Sequence, residues 1–193
     1  MTSQIALKKN YSIDEYLAYE IHQGERFEFY NGQLNNMPGG SISHSRICRN
    51  LIANLYKAFE TSENLEVFGS DQKVFIPQYN FYLYPDAIVV ATNPKVVENE
   101  TDAIINPILI IEVASPSTAR YDRGDKFTWY KSLSSFKEYV LINQDEAAVN
   151  LFFQEEADLW RNTDVKGIEN TVHFQSIGVT LSMHSIYDKV EFK

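Results

Sequence analysis

Apolar residues recur every four positions from Ile47 through Leu51 and Leu55 to Phe59, and this stripe predicts a helix that begins near Ser43. Ile52 and Tyr56 widen the stripe toward a core-facing surface, whereas Arg46, Arg49, Asn50 and Lys57 lie off it. An earlier helix is marked by its ends. Ser12-Ile-Asp-Glu15 has the spacing of a capping box, in which hydroxyl and carboxylate satisfy opposite backbone donors, and Tyr11 and Tyr16 stand at the flanking staple positions. That helix should run to about His22 and stop at Gly24. Arg26–Tyr30 and Gln33–Met37 flank Asn31-Gly32, a dipeptide suited to the positive φ angles of a tight turn, so these two runs should pair as a hairpin.

From there to about residue 115 the pattern reads as strands: Leu65–Phe68, Asp71–Ile76, Tyr84–Ala91 and Ile108–Ala114. The last is apolar on both faces except at Glu112, as a central strand covered on both sides requires. Ser115–Asp122 is a polar connection, Gly124–Leu133 can form a helix, and Glu138–Asn143 is a strand. A strand, a crossover helix and a strand imply a right-handed parallel connection from Ile108–Ala114 to Glu138–Asn143. A turn through Gln144–Glu146 lets Ala148–Phe153 pair back, and Leu159–Val165, Thr171–Ser176 and Val179–Leu181 read as short strands before a final turn. The expected fold class is α/β, a mixed sheet with helices packed on it.

Composition narrows the picture only a little. With 193 residues, 44% apolar and 22% charged, the chain suits one domain with a packed core; no repeat or linker divides it. No run approaches the ~20 apolar residues of a membrane helix. The longest candidate, Ile104–Ala114, is interrupted by Asn106, Pro107 and Glu112, and the first residues lack the apolar core of a signal peptide, so a cytoplasmic protein is expected. A single cysteine, Cys48, excludes an internal disulfide and a Cys-based zinc site, and reads as a small packing residue. The net charge of −9 argues against a surface coated in positive charge for nucleic-acid binding. Acidic residues gather in Glu98–Asp102 and Glu155–Asp158, both read as solvated loops, while Arg120, Arg123, Lys126 and Lys131 form a local basic group.

Two carboxylates interrupt this pattern. Strand alternation puts Asp86 on one face with Ile88 and Val90, and Glu112 on one face with Ile108, Ile110 and Ala114. Each stands where an apolar side chain belongs, and a buried carboxylate needs a cation, strong donors or an altered protonation state. A lone strand carboxylate is more often structural or edge-exposed. Two on adjacent strands, with a lysine soon after, favour a metal site. With the Val113 carbonyl they suit a hard, oxygen-seeking ion such as magnesium, which can generate hydroxide near neutral pH and neutralise a scissile phosphate. A neighbouring lysine would position water or stabilise the developing charge.

At these residues the chain resembles a known family. Pro85-Asp86, Ile110-Ile-Glu-Val-Ala-Ser-Pro-Ser-Thr118, Tyr121-Asp-Arg-Gly-Asp-Lys126 and Glu138-Tyr-Val-Leu-Ile142, together with Phe27-Glu-Phe-Tyr-Asn-Gly-Gln-Leu34, are similar to the Uma-type restriction endonucleases of the PD-(D/E)XK nuclease superfamily. The resemblance implies a restriction-endonuclease-like mixed β-sheet core flanked by helices, with added N-terminal and C-terminal β-hairpins, in a single domain over 1–193 with a core of about 12–181. It implies divalent-metal dependence (Mg2+, with Mn2+ as a substitute) and a nucleic-acid substrate. Asp86 and Glu112 match its metal-binding acids, and Glu28 matches an acid often placed N-terminal to the core. The superfamily lysine two residues after the second acid is replaced here by Ala114, and the resemblance points to Lys126 instead.

Simpler readings stand beside these. Glu28 shares a hairpin face with Tyr30, opposite Phe27 and Phe29, and solvent is as good a destination as a metal. Asp122 and Lys126 have the spacing of a surface ion pair. Arg123 reads as a solvated charge or a phosphate contact, and His44 as a capping or surface group within reach of the site. Ser115-Pro-Ser-Thr118 has no nucleophile-elbow pattern, so it ends a strand rather than carrying catalysis. The expected function is a magnesium-dependent endonuclease acting on double-stranded DNA as a homodimer, since closed two-fold dimers are the commonest assemblies. The alternative is a catalytically silent nuclease-like binding or scaffolding module, favoured by the charge and by Ala114. Glycoside hydrolysis, a third reading, needs a sugar cleft and carboxyls ~5–10 Å apart, of which only the separation suits neighbouring strands.

Overall fold

The computed structural model describes residues 10–37, 39–60, 64–91, 93–98, 100, 102–114 and 121–192. Helix α1 (Ile13–Gln23) opens on the capping box: Ser12 Oγ accepts from the Glu15 N–H at 3.2 Å and Glu15 Oε2 accepts from the Ser12 N–H at 2.9 Å. It closes at Gly24 with φ 65°. Strands β1 (Phe27–Tyr30) and β2 (Gln33–Asn36) are antiparallel, and Asn31 and Gly32 turn the chain between them at φ 53° and 71°.

This hairpin is the edge of a larger sheet. Phe29 pairs with Tyr82, which gives the order β2-β1-β5-β4-β7 with β4 (Lys73–Ile76), β5 (Phe81–Leu83) and β7 (Ala103–Ile104). Neither β5 nor β7 stands out in the sequence, because strands of three and two residues are too short to show alternation. The second sheet contains β3 (Leu65–Gly69), β6 (Ala87–Ala91), β8 (Pro107–Ala114), β9 (Glu138–Asn143), β10 (Ala148–Glu156) and β11 (Leu159–Lys166), in the order β11-β10-β9-β8-β6-β3. Its β8–β9 pair is parallel, as the crossover reading requires, and its other pairs are antiparallel.

Strand β8 lies inside this sheet, and both of its faces are covered. Leu109, Ile111 and Val113 pack toward α2 (Ile42–Phe59), whose Ile47, Leu51, Leu55 and Phe59 are all buried. Ile110 faces a second core with Leu83, Tyr130, Phe136 and Tyr139. The expected stripe on α2 is corrected at two positions. Tyr56 is 67% exposed, whereas Asn50 is buried, its amide donating to the carbonyls of Ile186 and Asp188 at 2.9 Å each. Those carbonyls follow a closing hairpin, β12 (Thr171–Phe174) and β13 (Val179–Ser182), and the short α4 (Met183–Ile186); Val172, Phe174 and Met183 complete the α2-side core.

The predicted helix over Gly124–Leu133 is reshaped. Asp122–Lys126 forms a π-helical turn, and α3 (Phe127–Tyr130) is a single α-helical turn after it. The wider π turn rotates Asp122 and Lys126 inward, where both are buried. The acidic stretch near Glu100 is also less solvated than its composition implies, since Glu100 accepts from the Tyr82 hydroxyl at 2.7 Å. Ser115-Pro-Ser-Thr118 and Arg120 lie outside the described residues. Among the described residues, no helix is long and apolar enough to cross a membrane.

Candidate active site

Alternation along β8 sends Glu112 to the same side as Ile110, away from α2. There it is 4% exposed, and two donors converge on its Oε1: Lys126 Nζ at 3.1 Å and the Tyr130 hydroxyl at 3.3 Å. Lys126 is itself 6% exposed and sits among three carboxyls, with Glu28 Oε1 at 2.8 Å, Glu112 Oε1 at 3.1 Å and Asp122 Oδ1 at 3.7 Å. The surface ion pair expected of Asp122 and Lys126 is therefore a buried one.

The solvent-facing reading of Glu28 is also corrected. Its neighbours Phe27 and Phe29 join the small core under α1, so alternation sends Glu28 to the opposite side of β1. That side is closed by the second sheet and the π turn rather than open to solvent. Glu28 Oε2 accepts from the Tyr121 hydroxyl at 3.3 Å, and its Oε1 faces the Tyr84 N–H at 3.5 Å. Both carboxylate oxygens are engaged.

Asp86 departs further from its expected setting. It occupies a bend after Pro85, immediately before β6 begins at Ala87, so it is not part of the alternating run. The bend turns its carboxylate away from the face of Ile88 and Val90, toward α2 and the end of the β6–β8 ladder. There Asp86 Oδ2 accepts from the Val113 N–H at 2.7 Å, and His44 Nε2 lies 3.1 Å from Asp86 Oδ1. Ala87 pairs with Ile111, so Val113 comes where the β6–β8 ladder ends. An extended residue directs its N–H and C=O to the same neighbouring strand, which places the Val113 carbonyl on the Asp86 side of β8.

His44 stands in the first turn of α2, where its N–H is capped by Ser41 Oγ at 3.1 Å. Its ring thus joins the site, while its backbone donor is satisfied by the cap. The Asp86 hydrogen bond raises the His44 pKa above its ordinary range, against the opposing effect of burial. Cys48, four residues on, lies with Sγ 3.6 Å from His44 Nδ1, and burial together with the Asp86 charge pushes its thiol pKa up.

The electrostatics around Lys126 are unbalanced. Burial alone would lower the Lys126 pKa, but Glu112, Glu28 and Asp122 outweigh it and hold the ammonium charged. Burial raises the Glu112 pKa well above the carboxylate range; Lys126 opposes this, while the charges of Asp122, Asp86 and Glu28 reinforce it. More carboxyls than cations share this space, which adds to the effect of burial on Glu112. A divalent cation would relieve the same imbalance.

The structure thus brings Glu28, Glu112 and Lys126 into direct contact and sets Asp86 close enough for its charge to act on Glu112. It does not bring in Arg123 or Lys131. Arg123 is exposed and donates to Asn150 Oδ1, and Lys131 lies 4.9 Å above the Phe127 ring. Tyr121, Asp122 and Tyr130 are additions that sequence reasoning did not assign to the site. Asp122 and Tyr130 carried a usable signal, since each lies four residues from Lys126. A cleft of about 730 Å3 reaches the Asp86 end, lined by Arg26, Asn36, Gly40, His44 and Cys48 among others.

A mixed sheet flanked by helices, with an acidic residue at the adjoining ends of two neighbouring strands, is a restriction-endonuclease-like arrangement. The chain belongs to the Uma2 family, whose model is described as "Putative restriction endonuclease" and matches residues 13–184. Two uncharacterised proteins of Synechocystis sp. are similar to it. One is 32% identical over 170 residues, covering 88% of this chain and 96% of the relative; the other is 31% identical over 181 residues, covering 94% and 93%. A crystal structure described as a "putative nuclease" from Anabaena variabilis has the same fold, with a TM-score of 0.72 at 17% identity, covering 92% of this chain and 98% of that one.

Proposed function

We propose that this chain is a divalent-metal-dependent endonuclease that hydrolyses phosphodiester bonds of DNA, as one restriction-endonuclease-like domain with a core of about residues 12–181. The observation that carries the reading is the convergence of Lys126 on Glu112, 3.1 Å apart in a buried site that also contains Glu28 and lies within the field of Asp86. Asp86, Glu112 and the Val113 carbonyl are the residues that would hold the ion. This set fits magnesium or manganese: its donors are hard oxygens and its charge is negative in excess. When bound, such an ion supplies an activated water and neutralises charge on the scissile phosphate.

The protein side chains have separable roles. Asp86 is oriented by the Val113 N–H and by His44, so its carboxylate is fixed before any ligand arrives. Lys126 keeps its proton because three carboxyls surround it, and its ammonium can donate to attacking water or to a phosphoryl oxygen. Glu28 acts on Lys126, holding it toward Glu112, and the Tyr130 hydroxyl donates to the same Glu112 oxygen as Lys126. A double-stranded substrate requires two cuts, which a two-fold homodimer would provide.

The test is incubation of purified protein with supercoiled plasmid, linear duplex and RNA, each with Mg2+, Mn2+ or chelator. Metal-dependent cleavage of DNA is expected, and its loss in Asp86→Ala and Glu112→Ala. A wild-type protein that cuts none of these substrates would overturn the proposal in favour of a nuclease-like binding or scaffolding module.

A further inference from the structure

One cluster at the site includes a thiol, Cys48, that has no part in the phosphodiester chemistry just described. His44, Cys48 and Asp86 each offer a ligand atom, and the three atoms lie within 4.8 Å of one another. His44 Nε2 is 3.1 Å from Asp86 Oδ1, and Cys48 Sγ is 3.6 Å from His44 Nδ1. His44 and Cys48 stand four residues apart on α2, the spacing at which two helix side chains can bind one ion from the same face.

One cysteine cannot build a zinc site from thiolates alone, but it can join a histidine and a carboxylate, and we propose that these three residues form a zinc site on the α2 side of Asp86, distinct from the oxygen-lined position shared by Asp86, Glu112 and Val113. Zinc bonds of ~2.0 Å to nitrogen or oxygen and ~2.3 Å to sulfur put tetrahedral donors roughly 3.3–3.5 Å apart, so three donor atoms within 4.8 Å of one another can close on one ion by small side-chain rotations, with a single His44 nitrogen as ligand. The donor types select the metal. Magnesium binds oxygen and has little affinity for thiolate or imidazole, whereas zinc takes sulfur, nitrogen and carboxylate together. Asp86 has two oxygens with different partners: Oδ2 accepts from Val113 and Oδ1 faces His44. The cleft of about 730 Å3 is lined by all three residues, so an ion can enter, and a fourth ligand can be water. The thiol proton, and a proton of His44 if it carries one at each ring nitrogen, leave as the ion binds.

The proposal shares Asp86 with the nuclease reading but does not depend on it. Metal-free protein is titrated with Co2+ as a spectroscopic probe and then with Zn2+ in competition. Wild type and Glu112→Gln should both show a thiolate-to-cobalt charge-transfer band with tetrahedral visible bands, displaced by Zn2+. Cys48→Ser should lose the charge-transfer band, and Cys48→Ser and His44→Ala should each weaken zinc binding by about tenfold or more. Circular dichroism checks that both variants fold. A wild-type complex without the thiolate band, or zinc affinity unchanged in folded Cys48→Ser, would overturn the proposal. A thiolate band in a protein that cuts no nucleic acid would sink the nuclease reading alone, and magnesium-dependent cleavage without the band would sink this one alone.

Discussion

Lys126 Nζ lies 3.1 Å from Glu112 Oε1, although twelve positions separate the lysine from Ala114, where the superfamily pattern would put it. A residue two along β8 shares the face of Glu112, so a lysine at Ala114 would approach the same space from the strand. Lys126 reaches it from the π turn instead. Removing it by Lys126→Ala should lower metal-dependent cleavage by roughly 100-fold or more, the loss typical of one transition-state donor. The double variant Lys126→Ala/Ala114→Lys should recover part of that rate. Single-turnover cleavage of a defined duplex measures both; a Lys126→Ala protein as active as wild type would remove lysine from the mechanism.

Glu112 should make the metal-free protein sensitive to pH. Its folded pKa lies above the ordinary 4.5, so the associated stability is fully present below that value and is lost as pH rises through the folded pKa. The slope from this one group is at most about 1.4 kcal/mol per pH unit. Lys126 adds a separate window: its folded pKa lies above 10.5, and its contribution is lost only as pH rises through that folded value. Thermal unfolding in chelator should therefore show stability falling above the carboxylate range, with the slope reduced in Glu112→Gln. Magnesium should raise the melting temperature more at pH 8 than at pH 6. An identical pH profile for wild type and Glu112→Gln would show that Glu112 is not the group responsible.

Not every buried acid belongs to the site. Glu138 accepts from the Gln175 N–H at 3.1 Å, the Ser176 N–H at 2.9 Å and the Ser176 hydroxyl at 2.7 Å, tying β9 to the turn between β12 and β13. Glu138→Ala would leave two backbone donors without this acceptor and should cost about 2–3 kcal/mol of stability. Denaturant unfolding checks this, and metal affinity should be unchanged in the folded protein. A stability loss within ~0.5 kcal/mol would mean that water replaces the carboxylate.

How much of this was legible in the sequence depends on what fixes each residue. Glu112 was legible because β8 is otherwise apolar on both faces, so one charge there has a defined direction. The capping box at Ser12 and the Asn31-Gly32 turn were legible for the same reason: each is local chemistry with few alternatives. Asp86 stands out in the sequence, but its orientation does not, because the bend after Pro85 ends the alternation that would have predicted it. Glu28 depended on what covers the second face of β1, which only the packing of distant elements decides. Lys126 and Asp122 have α-helical spacing in the sequence, and the π turn converts an expected surface pair into a buried one. The proximity of Cys48 to Asp86 needed α2 to be docked against the bend before β6.

The central claim is that Asp86 and Glu112 hold a divalent ion, and calorimetric titration of Mg2+ into metal-free protein tests it most directly. The expected result is one saturable site per chain in wild type, abolished in Asp86→Asn and in Glu112→Gln. Saturable binding that survives both substitutions, or none in wild type, would contradict it.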